Sequence, residues 1–130
     1  KTNKKLKILA VTFLTNLDRQ DLNENLIKNG DLKDLVIERA NKAFEAGADG
    51  IIASAKEVSL LKSVNNYKKK IIVTPGIRPT GFKQNDQKRI CTPYEAVKNG
   101  SDHIVIGRPI WQSKNPIKVV DDIFKEISSM

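Results

Sequence analysis

The sequence predicts an α/β protein built around a parallel β-sheet. Four short apolar runs rich in β-branched residues are typical of strands buried on both faces, and helical patterns with apolar residues three or four positions apart separate them. The runs span residues 7–14, 50–54, 71–74 and 103–106. Since a predicted helix follows each predicted strand over a short connection, the sheet should be parallel with right-handed crossovers.

Capping residues indicate where the predicted helices begin and end. The four candidate N-terminal caps are Asp31, Ser54, Thr92 and Asn115. Glu57 and Glu95 each stand three residues after a hydroxyl cap, which is the spacing of a capping box. Gly47 and Gly100 follow the first and third helical patterns, so those helices should stop before them.

The side on which the helices pack distinguishes two architectures. If all four helices cover one face of the sheet, further strands must close the other face, as in half of a (βα)8 barrel. A full barrel takes about 250 residues, and this chain has 130. A doubly wound four-stranded sheet is the alternative that the periodicity leaves open. No linker divides the chain, so we expect residues 1–130 to form a single-domain unit.

Composition argues against several functional classes. The chain is 39% hydrophobic and 29% charged, as in ordinary globular proteins, and no stretch approaches the ~18 apolar residues of a membrane span. A single cysteine, Cys91, argues against a disulfide framework and a cysteine-based zinc site and fits a cytoplasmic protein. The net charge of +8 could indicate nucleic-acid binding, but interleaved acids and 5% aromatic residues favour a solvated, lysine-rich surface.

Two loops that follow predicted strands contain the residue types of an anion site. Gly76 and Arg78 follow the third strand, and Gly107 and Arg108 follow the fourth, where a short helical stretch opens. Glycine lets a backbone approach an anion, and the arginine fork can donate two hydrogen bonds to it. Loops after the last two strands of a barrel frequently bind phosphate. The polar segment 80–89 could close over a charged ligand, or it could be an insertion without a role.

A few other residues could contribute to a site. Thr12, Thr15 and Asn16 follow the first strand and could bind an amide-like edge, although their spacing favours helix or turn capping. His103 has no His or Cys partner at metal-ligand spacing, so we interpret it as a packed or edge residue. Cys91 has no neighbouring histidine and is interpreted as a small buried residue.

Four segments occur together in the order and spacing of one enzyme family. They are Ala10-Val11-Thr12-Phe13-Leu14-Thr15, Val73-Thr74-Pro75-Gly76-Ile77-Arg78-Pro79, Asp86-Gln87-Lys88-Arg89 and Val105-Ile106-Gly107-Arg108-Pro109. Over nearly its whole length the chain resembles bacterial-type orotidine 5'-phosphate decarboxylases. The resemblance implies that it corresponds to strands five to eight of a TIM (βα)8 barrel, the C-terminal half. Asn16 stands where many relatives have serine.

The resemblance also implies roles for five residues of this chain. Thr15 would contact the pyrimidine of the substrate. Arg78 and Arg108, with the backbone of Gly107, would hold the 5'-phosphate. Gln87 would reach from the loop after the third strand to the phosphate and the base.

Family members convert orotidine 5'-phosphate to UMP and CO2 without a metal or cofactor, using alternating Asp and Lys residues in an Asp-x-Lys-x-x-Asp pattern on earlier strands. Asp31-Leu32-Lys33 begins like this pattern, but Val36 replaces the second Asp and the triplet opens a helix. We interpret the match as a coincidence. We therefore expect no catalytic residue in this chain, no metal or cofactor, and no activity of the chain alone.

The resemblance further implies a homodimer for the full-length enzyme, with no nucleic-acid or membrane partner. Because the only methionine is Met130, we expect Lys1 to be preceded by a segment that this sequence does not include. Two other functions stay open on the sequence: another enzyme of sugar phosphates on a related barrel, and a non-catalytic basic module that binds nucleic acid.

Overall fold

The computed structural model describes residues 3, 5–15, 17–18, 20–21, 31–82 and 89–129. The strands in these ranges are β1 (Leu9–Val11), β2 (Gly50–Ile52), β3 (Ile71–Thr74) and β4 (His103–Ile104). They pair in parallel in the order β1-β2-β3-β4, which confirms the predicted parallel sheet.

Two strands are shorter than the apolar runs that predicted them. β1 and β4 stop before the ends of runs 7–14 and 103–106. The ladder nevertheless continues by one hydrogen bond at each, from the Thr12 N–H to the Ile52 carbonyl at 3.2 Å and from the Val105 N–H to the Thr74 carbonyl at 2.8 Å. Each of these strands has one pairing neighbour in the described sheet, so fewer of its residues complete a ladder.

Five helices follow the strands in the described ranges. They are α1 (Leu32–Glu45), α2 (Ala55–Ser63), α3 (Pro93–Lys98), α4 (Arg108–Trp111) and α5 (Pro116–Ser128), with a 3-10 turn at Asn65–Tyr67. All four predicted helices and the short stretch after Gly107 are confirmed. In the described part of the chain, no helix is long and apolar enough to cross a lipid bilayer.

The four predicted caps are confirmed, but one of the two predicted capping boxes is wrong. The Thr92 hydroxyl accepts from the Glu95 N–H at 3.2 Å, and the Glu95 carboxylate accepts from the Thr92 N–H at 3.0 Å, which completes one box. The Ser54 hydroxyl accepts from the Lys56 N–H instead. The Glu57 carboxylate does not accept from the Ser54 N–H, because it is buried in an ion pair with Arg89.

The strand order decides between the two architectures. A doubly wound sheet reverses direction at one point in its strand order, whereas here each strand lies beside its predecessor in the chain. Right-handed crossovers that all move in one direction place the helices on one face. Accordingly, α1 packs against α2, α2 against α3, and α3 and α4 against α5. The doubly wound alternative is therefore wrong for the described sheet.

The two faces of the sheet differ in burial. Ile51 and Ile72 are paired in register and belong to the core beneath the helices, together with apolar side chains of α1 and α2. Val11, which is paired with Ile52 on the alternate face, is 52% exposed. Gly50 allows the close spacing at the start of β2, since a Cβ there would lie 2.3 Å from the Ile71 carbonyl oxygen.

Two aspartates fix the amino ends of the strands. The Asp49 carboxylate accepts from the Ile8 N–H at 2.8 Å, and the Asp102 carboxylate accepts from the Ile72 N–H and the Lys62 ammonium, both at 2.8 Å. Burial raises the pKa of Asp102, but the hydrogen bonds from Lys62 and Ile72 outweigh it and leave that pKa below its usual value. This end of the sheet is thus held by local charge and hydrogen bonding.

The capping box at Thr92 should contribute measurably to stability. Replacing Thr92 by Ala removes the acceptor of the Glu95 N–H, and we expect the free energy of unfolding to fall by about 1 kcal/mol. Chemical denaturation followed by circular dichroism measures this change. Ser59→Ala, on the exposed side of α2, is the control and should change stability by less than about 0.5 kcal/mol. Equal effects of the two variants would contradict a specific role of the box.

Candidate functional site

A pocket of about 270 Å³ lies at the carboxyl ends of the strands. Its wall is formed by Thr15, Pro75, Gly76, Arg78, Val105, Gly107, Arg108 and Trp111. These residues come from the segments after β1, β3 and β4, which parallel pairing brings to the same edge of the sheet. The pocket therefore lies where α/β proteins place their ligands.

Four of the five residues predicted for a ligand site line this pocket together: Thr15, Arg78, Gly107 and Arg108. The fifth, Gln87, lies outside the described residues, as does Asn16. Thr12 does not line the pocket, because its hydroxyl donates to the Ile52 carbonyl at 3.1 Å and extends the pairing of β1 with β2. Of the three polar residues predicted after the first strand, the structure thus brings Thr15 to the pocket.

Arg78 is held in the wall by an extension of β3. Ile77 forms a parallel bridge with Cys91, and the Arg78 N–H donates to the Cys91 carbonyl at 2.9 Å. The Arg78 side chain is only 6% exposed, and its Nη1 donates to the Ile77 carbonyl at 2.8 Å. A permanently charged guanidinium is therefore fixed beside the pocket by backbone that is itself buried.

Gly107 and Arg108 stand where the chain turns from β4 into α4. Among the described atoms, a Cβ at Gly107 would have one neighbour within 4 Å, the Trp111 Nε1 at 3.7 Å. The described residues therefore leave room for a side chain there, and the bare backbone at Gly107 leaves that space to the pocket. Because the described residues of the wall include two arginines and no carboxylate, their charge favours an anion.

Trp111 is a pocket residue that the sequence reasoning missed. It is 66% exposed, and its indole Nε1 lies near Gly107 at the pocket wall. An indole N–H is a hydrogen-bond donor without acceptor capacity, which suits an anionic or carbonyl group. The sequence signal for Trp111 is its spacing. It stands three residues after Arg108, and side chains three residues apart in a helix lie on the same face.

The Glu57–Arg89 ion pair was also missed. Arg89 was assigned to the polar segment that could close over a ligand, and the structure contradicts this for Arg89 itself. Its guanidinium and the Glu57 carboxylate are each 6% exposed and lie 2.7 Å apart. Its Nη2 donates to the carbonyls of Phe13 and Leu14 at 3.3 and 2.9 Å. Arg89 is therefore a buried connection between α2 and the end of β1.

Two other predicted features, the Asp31 cap and the edge position of His103, have clear structural outcomes. Asp31 caps α1 by accepting from the Lys33 N–H at 2.8 Å, and Val36 is buried in the core, so the interpretation of this triplet as a helix start is confirmed. His103 is an exposed residue of β4 at the edge of the described sheet, as expected. Within the described ranges, no three His, Cys, Asp or Glu residues are close enough to hold a metal ion.

Cys91 is partly buried rather than fully buried, which corrects the prediction. Its thiol donates to the Glu95 carboxylate at 3.2 Å. Burial, followed by the hydrogen bond and the negative charge of Glu95, raises the pKa of Cys91 to about 12. At neutral pH the sulfur is therefore protonated and a weak nucleophile.

A sequence profile described as "Orotidine 5'-phosphate decarboxylase / HUMPS family" matches residues 1–123. The chain belongs to this family. A protein from Jannaschia sp. (strain CCS1) named orotidine 5'-phosphate decarboxylase is 57% identical over 110 residues, which are 85% of this chain and 48% of that protein. A protein of the same name from Ruegeria pomeroyi is 52% identical over 126 residues, or 97% of this chain and 52% of that protein.

The fold agrees with this family membership. The crystal structure of orotidine 5'-phosphate decarboxylase from Lactobacillus acidophilus superposes with a TM-score of 0.73 at 36% identity, covering 93% of this chain and 49% of that one. The chain thus spans about half the length of the family members that it matches.

The raised pKa of Cys91 predicts slow alkylation. At pH 8, iodoacetamide should label the folded chain far more slowly than the chain unfolded in guanidinium, as followed by mass spectrometry. Glu95→Gln should speed labelling of the folded chain, because it removes the negative charge beside the thiol, although burial remains. Glu45→Gln, an exposed residue of α1, serves as the control. Labelling of the folded wild-type chain at the unfolded rate would contradict the assigned environment.

Proposed function

We propose that this chain is the substrate-binding half of an orotidine 5'-phosphate decarboxylase, the enzyme that converts orotidine 5'-phosphate to UMP and CO2 in pyrimidine synthesis. One observation carries the proposal: Thr15, Arg78, Gly107 and Arg108 line a single pocket in a member of this family. Each of them follows a strand of the same parallel sheet, so one bound molecule can contact all four.

The arginine end of the pocket binds the 5'-phosphate. Arg78 and Arg108 each present a planar fork that can donate to two phosphate oxygens, and the two positive charges balance the phosphate dianion. The Gly107 backbone approaches the phosphate without interference from a side chain. The buried position of Arg78 strengthens this interaction, because water screens the charges less there.

The Thr15 end of the pocket binds the pyrimidine. A threonine hydroxyl can both donate and accept, so it can pair with the alternating carbonyl and N–H groups of a uracil-type edge. Gln87 is the second residue that we assign to the base and the phosphate, from its place in the Asp86-Gln87-Lys88-Arg89 segment. Its amide offers the same two kinds of hydrogen bond.

We assign the chain to strands five to eight of a TIM barrel, with residues 1–130 as one unit of that domain. Three observations support this: the sequential strand order, the match to about half of each relative, and the exposed alternate face of β1. In a complete barrel that face would point inward and be covered by side chains of the other strands.

Binding and chemistry are divided between the two halves of the barrel in this proposal. Contacts to the phosphate, remote from the carbon that loses CO2, supply binding energy that can stabilise the transition state. The Asp and Lys residues that carry out the proton transfer lie on strands one to three, outside this chain, and the reaction uses no metal or cofactor. The full-length enzyme is a cytoplasmic homodimer without nucleic-acid partners.

The phosphate assignment predicts a specific loss of affinity. Calorimetry with UMP and with uridine measures the contribution of the phosphate, and the wild-type chain should prefer UMP. Arg108→Ala should weaken UMP binding roughly 10- to 100-fold, since a hydrogen bond to a charged group is worth about 1.5–3 kcal/mol, and should leave uridine binding unchanged. Lys68→Ala removes an exposed positive charge elsewhere and serves as the control. Equal losses in the two variants would indicate general charge attraction and contradict the proposed site.

The division of the barrel predicts that the 130-residue chain alone does not decarboxylate. Incubation with orotidine 5'-phosphate should give no change in absorbance above the uncatalysed rate, whereas the full-length Ruegeria pomeroyi protein provides a positive control. Turnover by the chain that disappears in Lys33→Ala would contradict both the proposed division and the interpretation of Asp31-Leu32-Lys33 as a helix start.

A further inference from the structure

Glu57 and Arg89 are not among the described lining residues of the pocket, but Arg89 contacts the backbone at Thr15. We propose that the two form a positioning pair, which fixes Thr15 for recognition of the pyrimidine and leaves phosphate binding unaffected. The inference rests on the proposed function, because it assumes that Thr15 faces the base.

One residue holds three successive carbonyl groups at the end of β1. The Arg89 Nη2 donates to the Phe13 and Leu14 carbonyls, and the Arg89 backbone N–H donates to the Thr15 carbonyl at 3.2 Å. Beyond the hydrogen bond that Thr12 donates to Ile52, the described chain leaves the β1–β2 ladder. Carbonyls near the core still require donors, and Arg89 supplies them.

The other contacts of Arg89 tie this turn to α2. The Arg89 Nη1 donates to the Glu57 carboxylate, which is buried on the first turn of α2, and the Ser54 hydroxyl lies 3.5 Å from the Arg89 carbonyl. An arginine can satisfy a carboxylate and two carbonyls at once because its donors lie in a rigid fork. The end of β1 is thereby connected to the helix that follows β2.

Packed apolar side chains could occupy the positions of Glu57 and Arg89. Exchanging a buried ion pair for packed hydrophobic residues is often neutral or stabilising, since two charges no longer have to be desolvated. Stability alone therefore does not require a charged pair at this position. Apolar side chains have no donor that could hold the carbonyls of Phe13 and Leu14 in a fixed orientation. That orientation sets where the hydroxyl of the next residue, Thr15, points.

The effect should be confined to the Thr15 end of the pocket. Gly107 and Arg108 follow β4, which β2 and β3 separate from β1 in the described sheet. Arg78 is linked to the same segment through the Cys91 carbonyl, but that is a backbone hydrogen bond, which substitution of the Arg89 side chain leaves in place. Loss of the pair should thus change base recognition more than phosphate recognition.

The test compares UMP with ribose 5-phosphate, which lacks the base, by calorimetry on the 130-residue chain. Glu57→Gln should weaken UMP binding up to about tenfold, because a misplaced Thr15 hydroxyl loses about one hydrogen bond to the base, and should change ribose 5-phosphate binding less than about twofold. Asp102→Asn is the matched control. It also converts a hydrogen-bonded carboxylate to an amide, but at the amino end of the sheet, and it should weaken the two ligands equally.

The double substitution Glu57→Leu with Arg89→Met separates positioning from stability. This variant removes both charges together and leaves no unpaired buried charge, so it should melt at a higher temperature than Glu57→Leu alone while still losing the preference for UMP. Parallel weakening of both ligands in step with lower melting temperature, or an unchanged UMP preference in every variant, would overturn the inference. A wild-type chain that binds UMP and ribose 5-phosphate equally would refute the proposed pyrimidine site itself, before any variant is considered.

Discussion

Parallel pairing of consecutive strands is the constraint on which the site depends. Because β1, β3 and β4 run in the same direction, the segments that leave them emerge at one edge of the sheet. Residues as distant in sequence as Thr15, Arg78 and Arg108 therefore share one pocket, although no motif joins them along the chain. The close packing at Gly50 and the charged contacts of Asp49 and Asp102 hold the opposite end of the sheet.

The parallel sheet and helix starts could be predicted because they depend on local chemistry. Thr92 and Glu95 form their box because the described hydrogen bonds of the Glu95 carboxylate are local, from the Thr92 N–H and the Cys91 thiol. The same spacing at Ser54 and Glu57 gave the wrong box, since Arg89, thirty-two residues further on, binds the glutamate. Sequence spacing contains no information about such a distant partner, and this is also why the role of Arg89 was misjudged.

Part of the pocket could be predicted, because some of its residues form recognisable local combinations in the sequence. Glycine and arginine after a strand are a recognisable combination, and the resemblance to a family assigned Thr15, Arg78, Gly107 and Arg108, which the structure brings together. For Trp111 the sequence offers only its spacing from Arg108, and a lone tryptophan at that spacing has many explanations until its distance to Gly107 is known. Burial of Cys91 was overestimated because its position beside a cap gave no measure of solvent access.

In the proposed function, one bound nucleotide spans the pocket from the arginines to Thr15. A crystal structure of the chain with UMP tests this most directly. The proposed site requires the phosphate within hydrogen-bond distance of the Arg78 and Arg108 guanidinium groups and the Gly107 N–H, with the uracil ring beside the Thr15 hydroxyl. UMP bound at another surface, or bound in this pocket with its base against the arginines, would contradict it.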